Sequence, residues 1–246
     1  MTKKHREKNK EQETPNVKSK FKRRYKNFVG SQKAINKISK CVYDSSYQLK
    51  SQCAIDILLA KLAMIDAELS KEKGRTVVNQ LSSRIKTPES IYNKLVRKDL
   101  STDFETAQKN LNDLIGIRVV CPFEDEVYEV AGKLKAQGDI EVIKEKDYMK
   151  HPKKNGYKSL HLIIDIPIYF GKSYQKERVE IQFRTTAMDY WSILDYQLFY
   201  KRDVDDCEKI AEELAKAAED IAKLDARMLK LRNKIEKYKV VDYSFE

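Results

Sequence analysis

Between residues 113 and 184 the chain carries four runs dense in β-branched residues, and this clustering constrains the fold more than any other feature. They are "DLIGIRVVC" (113–121), "IEVIK" (140–144), "SLHLIIDIPIYF" (159–170) and "RVEIQFR" (178–184). Short runs of this kind, bounded by polar or turn residues, read as strands. Between the first two, "EDEVYEVAGKLKAQG" reads as a helix ended by Gly138. A helix should precede the first strand: in "KTPES", Thr87 is a suitable N-cap, Pro88 fits the first helical position and Glu89 suits the positive end of the helix dipole. Another should follow the last strand in "TTAMDYWSILDYQLFYK", where Thr186 and Asp189 have capping-box spacing and Trp191, Leu194 and Leu198 share an apolar face. The order helix, strand, helix, strand, strand, strand, helix predicts a mixed α/β (α+β) domain with one main sheet flanked by helices.

The flanking regions differ in character. From about Ser31 to Lys73 the pattern is helical. Ile55, Leu58, Leu59, Leu62, Ile65 and Leu69 form one apolar stripe, and Gly74 ends the segment. At the other end, Ile210, Leu214, Ala217, Ile221, Leu224, Met228, Leu231 and Ile235 alternate spacings of four and three, a heptad seam. Such a seam packs on the chain's own N-terminal helices or on a second copy of the chain, giving a homo-oligomer. The expected division is a basic tail over 1–28, a helical segment over 29–79, a catalytic domain over 80–204 and a C-terminal helix over 205–246.

Charge is unevenly placed. Residues 1–28 hold 11 Lys/Arg against 3 Asp/Glu, a net +8 of the chain's +11. Such a tail is either solvated and disordered or a contact arm for tRNA, RNA or phosphate. Cys41, Cys53, Cys121 and Cys207 have no CxxC spacing and no metal-ligand pattern with the histidines, so reduced thiols and a cytoplasmic location are expected. No apolar core follows the basic N-terminus, and Ile55–Ile65, the most apolar stretch, is interrupted by Asp56 and Lys61, so neither a signal peptide nor a membrane span is expected.

Several polar residues could carry chemistry. In "RVEIQFR", alternation puts Val179, Ile181 and Phe183 on one face and Glu180, Gln182 and Arg184 on the other. The second set either meets solvent or lines a polar cleft. Asp113 opens its strand, and a carboxylate there with a second on a neighbouring strand is a usual anchor for Mg²⁺ held largely by phosphates. Arg118 lies in the same strand and is either a surface residue or a phosphate ligand. Arg84 and Lys86 stand before a helix start, and Ser90 and Lys94 recur along that helix. Together they make either a solvated basic helix or a polyphosphate cradle. "HPKKNGYKSLHLIIDIP" (151–167) holds an Asn-Gly turn that permits positive φ and presents Tyr157 among Lys153, Lys154 and Lys158. A tyrosine so placed can stack on a base while lysines meet phosphates, with His161 further along the strand.

Taken in order, "RIKTPESIYNKLVRK", "LNDLIGIRVVCPFEDEVY", "KDYMKHPKKNGYKSLHLII" and "VEIQFRTTAMDYWSILDYQLFYK" resemble the successive motifs of the RelA/SpoT-type synthetase family over roughly residues 80 to 202. The single-domain size is similar to the small alarmone synthetases. The resemblance implies a nucleotidyltransferase-like fold and transfer of the β,γ-pyrophosphate of ATP to the 3′-hydroxyl of GDP or GTP, yielding AMP and a guanosine tetra- or pentaphosphate. By the match, Arg84, Lys86, Ser90 and Lys94 would bind ATP, with Arg118 helping. Asp113 would bind Mg²⁺, and Glu180 would be a second ligand or the base for the 3′-hydroxyl. Tyr157 would stack on guanine, and Lys153, Lys158, His161 and Gln182 would bind the acceptor nucleotide.

One departure concerns the acceptor. The family commonly has a Glu-His pair in the helix after the last strand, where this chain has Asp195 and Tyr196. The family's hydrolase half has no counterpart, since no His-Asp dipeptide occurs. Two other functions compete. One is a toxic synthetase of the same fold acting on the tRNA 3′ end or on adenosine nucleotides, which the basic tail would suit. The other is a non-catalytic RNA- or nucleotide-binding regulator, against which the two carboxylates speak.

Overall fold

The computed structural model describes residues 31–170, 173–199 and 207–241. The basic tail, and with it the tail's expected contact with RNA, lies outside the described residues. Two helices open the fold, α1 (31–42) and α2 (Ser45–Lys73), where the sequence reads as one helical segment. The break falls at Asp44, whose carboxylate accepts from the backbone N–H groups of Ser46 and Tyr47 and caps α2. At the far end Gly74 adopts φ 64°, the left-handed C-cap conformation that glycine tolerates best. There follow β1 (Gln80–Ile85), α3 (Pro88–Arg97), α4 (Phe104–Asn110), β2 (Ile115–Cys121), α5 (Glu124–Lys135), β3 (Glu141–Asp147), β4 (Leu160–Phe170), β5 (Ser173–Thr185), α6 (Thr186–Phe199) and α7 (Cys207–Val241).

The five strands form one sheet in the order β1-β2-β5-β4-β3. Only the central β2–β5 pair is parallel among the described strands. Side chains alternate across this sheet, so one set of positions is apolar and the other polar. Ile115, Ile117 and Val119 of β2, Val179, Ile181 and Phe183 of β5, and Leu160, Leu162 and Ile164 of β4 are buried. They form one core with Leu58, Leu62 and Ile65 of α2 and Val127, Val130 and Leu134 of α5. A second, smaller core joins Ile38 and Val42 of α1 to Ile91 and Leu95 of α3 and Leu111.

Several sequence expectations change. β1 and α4 were not expected, and α5 ends at Lys135 with Ala136 as its cap rather than at Gly138. The capping role given to Thr186 belongs to Thr185, whose hydroxyl accepts from the Met188 N–H at 3.2 Å. The C-terminal seam does not pack on α1 and α2. α7 packs on α6 and α5, presenting Ala218 (7% exposed) inward, while Leu224, Met228, Leu231 and Ile235 are all 45% exposed or more.

Candidate active site

The polar face of the sheet is the floor of a cleft of about 560 Å³, within the size range of small-molecule sites. The parallel register sets Gly116 beside Glu180 and Arg118 beside Gln182. Antiparallel pairing adds Arg84 beside Gly116, Ser82 beside Arg118, and His161 beside Gln182. Gly116 carries no side chain between Arg84 and Glu180, so the floor stays open there. Asp113, just before β2, and Ser192, Ile193, Asp195, Tyr196 and Gln197 of α6 also line it.

Two carboxylates anchor the cleft, each in a different surrounding. Asp113 is 8% exposed, and its Oδ2 accepts from Lys86 Nζ at 2.9 Å and Lys94 Nζ at 2.7 Å. Its Oδ1 is buried with no hydrogen-bond partner among the described residues. Burial pushes the Asp113 carboxyl up, but the two ammoniums outweigh it and leave it below its ordinary value. Lys86 is also shifted down. Burial opposes its charge, and Lys94 and Arg84 add repulsion that its one carboxylate does not offset.

Glu180 sits in a hydrogen-bonded ring. Its Oε2 accepts from Gln182 Nε2 at 2.8 Å, and its Oε1 lies 3.3 Å from His161 Nδ1. The other imidazole nitrogen, Nε2, is 2.8 Å from the Tyr157 hydroxyl, which also accepts from Arg184 Nη2 at 2.9 Å. Arg184 Nη2 returns to Gln182 Oε1 at 2.7 Å and closes the circuit. Burial raises the Glu180 carboxyl, but the bonds from His161 and Gln182 more than reverse this and hold it well below the usual glutamate range. His161, 6% exposed, is held below its ordinary value by burial, against the pull of Glu180. The pair therefore stands at neutral pH as a carboxylate beside a neutral imidazole.

The turn before β4 delivers Tyr157. Gly156 has φ 84°, its N–H donates to the Lys153 carbonyl at 2.8 Å, and Asn155 Oδ1 accepts from the Tyr157 N–H at 3.3 Å. Lys153 Nζ lies over the Tyr157 ring at 4.4 Å from its centroid, and burial lowers its affinity for a proton.

The expected site residues thus separate. Arg84, Asp113, Arg118, Tyr157, Glu180 and Gln182 line the cleft. Lys86 and Lys94 reach it through Asp113, and Lys153 and His161 through Tyr157 and Glu180. His161 does not present a free nitrogen to an acceptor phosphate, because both ring nitrogens are engaged within the protein. Ser90 is bonded to the α3 cap, its N–H donating to Thr87 Oγ1 and its hydroxyl accepting from it, and it is not among the residues that line the cleft. Lys158 lines a different, small cavity with Glu124 and Asp225 against α7, not the cleft. Asp189 was not expected at the site, and Arg184, expected on the polar face, had been given no role there. The alternation that placed Glu180 and Gln182 on the polar face applied to Arg184 as well, whereas Asp189 was hidden by its fit to a capping pattern.

A mixed sheet whose open face gathers lysines and arginines around two carboxylates, beside an aromatic ring on a glycine turn, defines a nucleotide phosphate-transfer site. Comparison with known proteins places it. The model describing the region found in RelA/SpoT proteins matches residues 83–205. The GTP pyrophosphokinase YwaC of Bacillus subtilis is 36% identical over 183 residues, covering 74% of this chain and 87% of the relative. The small alarmone synthetase 2 of Bacillus subtilis superposes with a TM-score of 0.67 at 36% identity, over 76% of this chain and 96% of that one. The small alarmone synthetase 1 of Bacillus subtilis, bound to its product pppGpp, superposes with a TM-score of 0.70 at 28% identity, over 78% and 99%. The chain belongs to the RelA/SpoT family.

Proposed function

We propose that the protein is a GTP pyrophosphokinase that moves the β,γ-pyrophosphate of ATP to the 3′-hydroxyl of GDP or GTP and so makes an alarmone. The observation that carries this reading is that Asp113 and Glu180 line one cleft with three arginines, Arg84, Arg118 and Arg184, while Lys86 and Lys94 bond to Asp113. Transfers of this type depend on positioning and charge neutralisation more than on covalent help from the protein. The 3′-oxygen bonds to the β-phosphorus as the bridge to the α-phosphate breaks, and AMP leaves.

On this reading Lys86, Lys94, Arg84 and Arg118 receive the ATP phosphates. Tyr157 takes the acceptor base, with Lys153 moving off its ring. The unpartnered Asp113 Oδ1 and the anionic Glu180 fit a divalent cation. Mg²⁺ held there would neutralise the charge that develops on the transferred group. Glu180 could serve there as a second cation ligand or as the base that takes the 3′-hydroxyl proton. His161 and Gln182 fix the direction of its oxygens.

The exposed Leu224, Met228, Leu231 and Ile235 are the surface on which a second copy would sit. Among the described residues no helix is long and apolar enough to cross a membrane, and Cys41, Cys53 and Cys121 are free thiols, in keeping with a cytoplasmic enzyme. The test of function supplies γ-labelled ATP with GDP, GTP or uncharged tRNA in parallel. Label on the guanosine nucleotide is expected. Label on tRNA alone would replace this reading with the tRNA-directed one.

A further inference from the structure

Two arginines on neighbouring strands project onto the same face of the sheet, where their guanidiniums repel. Arg118 comes from β2 and Arg184 from β5. The carboxylate of Asp189, in the first turn of α6 and 6% exposed, stands between them. A single oxygen, Oδ1, accepts from Arg118 Nη1 at 3.1 Å and from Arg184 Nη1 at 3.0 Å. From Asp189 the contacts lead two ways. Arg118 Nε donates to Ser82 Oγ at 3.2 Å, on the β1 wall that also carries Arg84. Arg184 Nη2 donates to the Tyr157 hydroxyl and to Gln182, and from these the bonds run on to His161 and to both oxygens of Glu180.

We propose that Asp189 is a positioning residue for pyrophosphate transfer, holding the donor-side Arg118 and the acceptor-side Arg184 together so that Tyr157 and Glu180 face the bound ATP in register. The inference rests on the functional reading above and adds to it a residue that touches neither substrate. Its reach follows from geometry. With Asp189 neutral, the two guanidiniums lose their shared counter-charge and move apart, and Arg184 carries the Tyr157 hydroxyl and Gln182 with it. In a reaction governed by alignment, a misplacement of about 1 Å costs on the order of a hundredfold in rate.

The test compares wild type, Asp189→Asn, Asp189→Glu, Arg184→Lys and the Asn/Lys double variant by steady-state kinetics at saturating Mg²⁺, with thermal melts alongside. Asp189→Asn keeps shape and removes charge, so kcat falls roughly a hundredfold while both KM values move less than about fivefold. Asp189→Glu restores charge on a longer arm and recovers at least tenfold of that loss. In the Arg184→Lys background the Asn substitution costs less than threefold, because the arm it acts through is already gone. Equal costs in both backgrounds overturn the proposal, as does a kcat within threefold of wild type. Should Asp189→Asn fail to fold, Arg184→Lys decides alone: it keeps the charge balance but cannot bond Asp189, Tyr157 and Gln182 together. A loss of at least tenfold in kcat is then required, and unchanged turnover refutes the proposal. Wild-type protein that transfers no pyrophosphate would refute the functional reading instead, so the two failures are distinct.

Discussion

Replacing Gly156 with alanine attacks the place where the 153–157 turn and the C-terminal helix meet. Two costs arise. The backbone sits at φ 84°, where an L side chain is strained by about 1–2 kcal/mol. The new Cβ would also lie 2.4 Å from Ala218 Cβ, and the Cα and carbonyl oxygen of Ala215 are both at 3.5 Å. Ala218 is a short side chain on a rigid helix and cannot swing aside, so the turn and α7 must separate. Forced overpacking of that kind costs about 1–3 kcal/mol. Together the two predict roughly 2–5 kcal/mol of destabilisation, or about 5–15 °C in the melting midpoint for a chain of this size. Because Tyr157 is the next residue, KM for the acceptor should rise while KM for ATP holds. The clash separates from the strain in a cycle with Ala218→Gly. That change alone costs about 1 kcal/mol of helix propensity, but in the Gly156→Ala background it should recover the packing part. Melting by circular dichroism, with product formation at two acceptor concentrations, reads all of this. A Gly156→Ala variant melting within 2 °C of wild type would refute the contact between the turn and α7.

Three further outcomes follow from the same geometry. Glu180→Gln should retain ATP binding by calorimetry yet lose pyrophosphate transfer on thin-layer chromatography; near-normal turnover would remove Glu180 from its role. Tyr157→Ala should weaken the acceptor by about one to two powers of ten, from the roughly 1–3 kcal/mol that a base gains by stacking, and an effect confined to ATP would move the turn to the donor side. Asp225 is raised by burial, which the bond from Thr185 Oγ1 and the charge of Lys158 only partly offset. With its folded value above its unfolded one, the folded state binds more protons between the two, so stability falls as pH rises through that window and stays lower above it. Asp225→Asn should therefore raise the melting midpoint at pH 7 to 8 and lose that advantage below about pH 4, the ordinary aspartate range; equal gains at both pH values would contradict the burial argument.

Much of this molecule could be read from its residues, for reasons that differ by element. β2, β4 and β5 are legible because β-branched runs with one buried face leave a period of two, and α3 because Thr87-Pro88-Glu89 supplies a cap, a pre-set φ and a favourable charge. β1 was not, since "QLSSRI" has only Leu81 and Ile85 to bury and lies at the sheet edge with much of it in water. The seam on α7 is a true period, but a helix can bury only what its neighbour offers. Here α6 and the 153–157 turn take the Ala218 and Asp225 side, so Leu214 and Ile221 are half-buried while Leu224, Met228, Leu231 and Ile235 stay outside. Alternation put Glu180 and Gln182 on the polar face of β5, and only the pairing of neighbouring strands makes that face a cleft rather than a wet surface. Tyr157 and Lys158 are adjacent, and the first lines the cleft while the second lines the small cavity under α7, a separation that the alternation of successive side chains already implies. Asp189 shows the limit most clearly. An acid three residues after a threonine satisfies a local rule, and only the tertiary approach of Arg118 and Arg184 discloses what it binds.

The central claim is transfer of an intact pyrophosphate in a cleft built on Asp113 and Glu180, and the nature of the leaving product tests it most directly. Phosphorus NMR of the full-length protein with ATP, GDP and Mg²⁺ should show AMP accumulating in step with a guanosine nucleotide that carries two phosphates on its 3′-oxygen. Accumulation of ADP, or of AMP without that guanosine product, would contradict the account.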